Sequence, residues 1–175
     1  MTTTLTERWA PGEAATELWL DFDGRQKRRF FATTADGREV HVQLARLDQP
    51  LMDGERLAAA NGELVVRVRA APERLLEARG PAQALTRAAY HLGNRHAKVM
   101  VGDGFLRTPD DVVMGPMLAQ LGLATAIVEA PFAPEIGAYH HHGPGHTHDE
   151  AHHHGHGAAR IHRFERAALG IPPKP

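Results

Sequence analysis

Pro81-Ala82-Gln83-Ala84-Leu85-Thr86-Arg87-Ala88-Ala89-Tyr90-His91-Leu92-Gly93-Asn94-Arg95-His96 decides how the second half of the chain is read. Within it Leu85, Ala88, Ala89 and Leu92 recur at i, i+3, i+4 and i+7, which is one apolar stripe of a helix. Pro81 suits the start of that helix, and Gly93 falls just past its expected end.

On the C-terminal side, Lys98-Val99-Met100-Val101 and Phe105-Leu106-Arg107 flank Gly102-Asp103-Gly104, the signal of a hairpin. A second helix is expected from near Pro109-Asp110-Asp111, because acids in a first turn complement the helix dipole. It should carry Val113, Met117, Leu118 and Leu121 inward and be kinked or split at Gly115-Pro116. Leu75-Leu76-Glu77-Ala78 before the first helix and Ala124-Thr125-Ala126-Ile127-Val128-Glu129 after the second read as strands. The order over residues 73 to 130 is then β-α-β-β-α-β, the ferredoxin-like arrangement.

On the N-terminal side, Asp23-Gly24, Asp36-Gly37, Asp53-Gly54 and Asn61-Gly62 punctuate the chain as turn dipeptides. Between them Arg38-Glu39-Val40-His41-Val42-Gln43-Leu44 and Glu63-Leu64-Val65-Val66-Arg67-Val68-Arg69 approach period-2 alternation, as half-buried strands do. The expected fold class is α+β. A small all-β domain occupies 1–72, a ferredoxin-like βαββαβ domain 73–135, and a histidine-rich, largely disordered tail 136–175.

Composition narrows the chemistry. At 175 residues and 42% hydrophobic content the chain can bury a core, and a formal charge of −1 gives no overall positive field for nucleic acid or an anionic membrane. There are no cysteines, so disulfides, thiolate metal sites and cysteine nucleophiles are excluded, and any metal is held by nitrogen or oxygen. The first residues, Met1-Thr2-Thr3-Thr4-Leu5-Thr6-Glu7-Arg8, lack the apolar segment of a signal peptide, which makes the cytoplasm the expected location.

Residues 140–156 hold nine of the thirteen histidines. His140, His141, His142, His146, His148, His152, His153, His154 and His156 are interleaved with glycine, proline and acids. Neutral imidazole ligates nickel, copper, cobalt and zinc, and a flexible tract of imidazoles can wrap one ion in several ways. An expression tag would be an unbroken run at a terminus, whereas this tract is interrupted and is followed by Ala158-Ala159-Arg160-Ile161-His162-Arg163-Phe164-Glu165. Composition alone does not separate a functional metal tract from a solvated linker. His146-Thr147-His148-Asp149 departs from the His-x-His-x-Asp-His set of metallo-β-lactamases, since the acid comes one position early and the next histidine is missing.

Tyr90-His91-Leu92-Gly93-Asn94-Arg95-His96 closely resembles the signature of the UreE urease accessory proteins. Similarity to that family extends to Pro131-Phe132-Ala133-Pro134-Glu135-Ile136-Gly137-Ala138-Tyr139 and to Arg25-Gln26-Lys27-Arg28-Arg29, so it covers nearly the whole chain. The resemblance implies a nickel metallochaperone for urease assembly, with no catalytic residues and no enzyme activity. Ni(II) would be its cargo, with Zn(II) or Cu(II) as in-vitro alternatives. The final signature histidine, here His96, would bind nickel at the two-fold axis of a homodimer, and two-fold symmetry makes one residue act as a pair. Implied partners are the urease apoprotein and its accessory proteins, including the GTPase UreG, docked through the domain that carries Arg25 to Arg29. On composition alone, that basic run is a solvated strand or turn.

Gly93-Asn94 should end the helix and leave His96 just ahead of a strand. His91, outside the apolar stripe, reads as structural or capping, and His41 as a strand residue. Family members with extra histidines in the region of Thr108-Pro109-Asp110-Asp111-Val112 are not matched here, so the tail, water, Asp110 or Asp111 must complete the sphere, with the tail favoured. His162 is either an anchored ligand that docks the C-terminus near His96 or an exposed residue. The competing class is a general divalent-metal store in which the tail dominates. Because imidazole must lose its proton to bind metal, capacity should fall as pH drops through about 6.5, histidine's ordinary value.

Overall fold

A computed structural model describes residues 2–136. The expectations for the histidine tract, His162 and a disordered tail lie outside the described residues.

The N-terminal strands form two sheets. β1 (Thr3–Leu5), β5 (Glu39–Gln43) and β4 (Arg29–Thr33) make one in the order β1-β5-β4. β2 (Glu7–Arg8), β6 (Arg56–Ala58), β7 (Val65–Ala70) and β3 (Thr16–Leu20) make the other in the order β2-β6-β7-β3. Alternation places Leu5, Val40 and Val42 from the first sheet against Leu18, Leu57, Val66 and Val68 from the second in one buried core. Asp36-Gly37, Asp53-Gly54 and Asn61-Gly62 turn with their glycines at positive φ. Asp23-Gly24 does not. It lies in a one-turn helix, α1 (Phe22–Arg25), started by the Asp21 carboxylate accepting the Gly24 N–H, so this region is not purely β.

After Ala71 the chain enters β8 (Pro72–Arg79), then α2 (Ala82–Gly93), β9 (Met100–Gly102), β10 (Phe105–Pro109), α3 (Met114–Gln120) and β11 (Ala124–Pro131). The sheet order β11-β8-β10-β9, with each neighbouring pair antiparallel, is the ferredoxin-like topology. Leu76, Ala78 and Leu106 on one face meet Ala88 and Leu92 of α2 and Leu118 of α3.

The second helix departs from expectation. Pro109 is still in β10, opposite Leu75, and the Asp110 carboxylate is taken by Arg74 at 2.8 Å. Asp111 caps the following turn by accepting the Val113 N–H at 2.7 Å. The helix therefore starts at Met114 with no acid in its first turn. Gly115-Pro116 sits in that first turn, where proline is tolerated, and does not kink the helix. Val113 is exposed, and Met114 packs inward in its place.

The other face of the third sheet receives α1. Phe22, Leu75 and Phe132 form a small core there, with Phe22 and Phe132 edge to face at 5.7 Å. Glu73 accepts the Phe22 N–H at 2.7 Å, and burial pushes its carboxyl up from the usual range. Arg25 is buried and donates to the carbonyls of Leu51 and Phe132. It is therefore not part of an exposed basic run, unlike Lys27, Arg28 and Arg29, which are at the surface.

Candidate metal centre

Helix α2 ends in a Schellman motif. The Ala97 N–H donates to the Leu92 carbonyl at 3.1 Å and the His96 N–H to the Gly93 carbonyl at 2.9 Å. The residue that donates the inner of these two bonds must be left-handed, and here that residue is His96, at φ +54°. Glycine usually fills this position because it has no Cβ, and a non-glycine residue there is uncommon, although histidine is among those enriched. The sequence suggested that Gly93-Asn94 would release the chain. Instead, Gly93 remains helical and the reversal falls on the histidine itself. His96 lies in the turn, four positions before β9 begins, and its side chain is exposed.

Neighbouring groups fix the backbone and leave the ring open. Ala97 and Leu92 both pack in the core beneath, anchoring the motif from inside. Arg95 Nη1 donates to the His91 carbonyl at 3.1 Å, which satisfies an orphan acceptor of the last helical turn. Tyr90 is exposed, and its ring meets His91 edge to face at 5.5 Å. The result is an exposed imidazole on a hydrogen-bonded corner, and among the described residues no group hydrogen-bonds to its ring.

The other candidates are dispersed. His41 stacks on Phe31 across the β4–β5 pair, with ring centroids 4.3 Å apart. Asp110 and Asp111 are engaged in the ion pair and the turn described above. Among the described residues no three His, Asp or Glu side chains converge on one point, so a single copy of this region offers His96 as a lone donor. His140, His141, His142, His146, His148, His152, His153, His154, His156 and His162 lie outside the described residues. The left-handed strain at His96 was not anticipated. Its signal was the absence of glycine where a helix closing at Leu92 needs one.

Two family profiles match the chain. Residues 2–71 match the description "UreE urease accessory protein, N-terminal domain", and residues 63–158 match "UreE urease accessory protein, C-terminal domain". A urease accessory protein UreE of Pseudomonas fluorescens (strain SBW25) is 53% identical over 77% of this chain and 79% of its own length. One from Azotobacter vinelandii is 49% identical over 85% and 88% of the two chains. One from Nitrosococcus oceani is 42% identical over 90% and 95%. No helix among the described residues is long and apolar enough to cross a membrane.

Proposed function

The chain belongs to the UreE urease accessory protein family, and from that premise we propose that it carries Ni(II) to urease during active-site assembly in the cytoplasm. The observation that carries this reading is the exposed His96 ring on a left-handed corner where glycine would be easier. Backbone strain retained at an exposed residue points to a use for its side chain.

The chemistry is ligand exchange. One imidazole supplies one metal bond, so His96 needs a second copy, and a homodimer with the two helix ends at its two-fold axis gives two nitrogen donors. Tail histidines or water complete the shell. A carrier site should be open and incomplete, unlike the closed four-ligand shell of a structural zinc site, because the acceptor must take the ion in turn. The tract at 140–156 gathers metal, residues 73–135 hold it at the axis, and residues 1–72 dock the acceptor, which by family resemblance includes UreG and the urease apoprotein. No bond in a substrate is broken, so the protein acts as a chaperone and not as a catalyst.

The nine histidines of 140–156 also favour a second reading, general divalent-metal storage. Deleting residues 140–156 and titrating nickel separates the two. A carrier keeps a site that His96→Ala removes, whereas a store loses all binding with the tract.

A further inference from the structure

We propose that the apolar cleft lined by Trp19, the 49–53 loop and residues 131–136 is the docking site of this chain's own segment 160–169, which follows the histidine tract. Docking there closes residues 140–156 into a loop tied to the folded part at both ends. The proposal does not depend on the nickel reading.

The cleft has a volume of about 680 Å³, within the range of ligand sites, and its walls are mostly apolar. Trp19, Met52 and Ile136 line it and are 48%, 52% and 49% exposed, whereas a free surface seldom gathers large apolar side chains in one place. Ile136 is both part of the wall and the last described residue, so the chain that continues from it starts at the cleft.

Length, apolar content and charge all point to the same occupant. Residues 137–159 include five glycines, so their composition suits a flexible tether. A coil of that length spans about 26 Å, and it returns a later segment to its starting point at millimolar effective concentration. A peptide of another protein lacks that advantage. Beyond the tract, apolar residues reappear as Ile161, Phe164 and Ala168, at the i, i+3 and i+7 spacing of one helical face. Arg160, Arg163 and Arg166 against Glu165 give the segment two net positive charges. The cleft has the opposite sign. Asp53 lines it, and Asp21, Asp23, Asp48, Glu73 and Glu135 adjoin lining residues in sequence, against Arg25 and Arg69 in the wall. With the ion-pair partners Glu17, Arg46 and Lys98 included, acids outnumber bases seven to four. An apolar cleft with an acidic surround therefore faces a segment that is apolar and basic, on a tether long enough to join them.

The chain has no cysteine, so an introduced pair reports on contact without background. Met52→Cys in the cleft is combined, in the full, metal-free chain, with Ala168→Cys in the segment or with Glu150→Cys in the tract. The effective concentration of each pair is read from disulfide equilibrium in a glutathione buffer. A free tether favours position 150 about threefold, because effective concentration falls roughly as the −3/2 power of tether length. Docking reverses that order and places the 168 pair about tenfold above the 150 pair. Phe164→Ser should return the 168 pair to about the tether value by removing the largest apolar anchor. Arg163→Glu with Arg166→Glu should lower it about fivefold. An order set by tether length alone, an unchanged value in either variant, or a disulfide that joins two chains would each overturn the proposal.

Discussion

Replacing His96 by glycine separates what the imidazole does for folding from what it does for metal. At φ +54° the residue pays the left-handed penalty of a Cβ, about 1 kcal/mol. Glycine removes that penalty, but the freer unfolded chain takes back about 0.4–1 kcal/mol. The net change is therefore between zero and about 0.6 kcal/mol of stabilisation, or up to about 2 °C in Tm for a chain of this size. His96→Ala keeps the Cβ and gains nothing, so it should lie within about 0.5 kcal/mol of the parent. Urea unfolding of the metal-free proteins measures both. A loss above about 1 kcal/mol in His96→Gly would mean that the ring makes a structural contact, and the argument from strain to function would fail.

Three further outcomes follow from the packing. Burial alone would raise the Glu77 carboxyl, but hydrogen bonds from Arg79 and Arg107 outweigh it and hold the group below the usual glutamate range. The folded state then binds this proton less tightly than the unfolded one, so the stabilisation is present at neutral pH and fades as pH falls through the depressed folded value. Urea midpoints of the parent and Glu77→Gln should therefore differ at pH 7 and converge in acid; a pH-independent gap would contradict this. Gly102→Ala should cost about 1–3 kcal/mol, because a Cβ there overlaps the Phe105 ring, which Arg79 and Arg107 hold by cation–π contacts at 5.1 and 4.4 Å; an unchanged denaturation midpoint would show that the ring can move freely. Arg25→Ala strips donors from the buried Leu51 and Phe132 carbonyls and should cost about 2–4 kcal/mol in thermal unfolding, where a surface basic residue would cost almost nothing.

Much of the fold was legible because its signals are local and repetitive. The stripe at Leu85, Ala88, Ala89 and Leu92, the glycine turn at 102–104 and the two flanking strands were enough to give the order of elements from β8 to β11. The start of α3 was not legible, since Asp110 and Asp111 look like first-turn acids until Arg74, distant in sequence, claims one of them. Arg25 was misread for the same reason. Within a basic run nothing marks the one guanidinium that long-range packing buries against Phe22 and Phe132. At the candidate site the sequence singled out His96, but its left-handed backbone emerged only once the helix was seen to close at Leu92.

The central claim is that His96, and not only the histidine tract, holds nickel. The most direct test is calorimetric nickel titration of a chain ending after Gly137, with its oligomeric state followed by sedimentation. The expected result is about one ion per two chains, lost in the same chain carrying His96→Gly. No nickel binding by the shortened chain, or equal binding with and without the imidazole, would contradict the account.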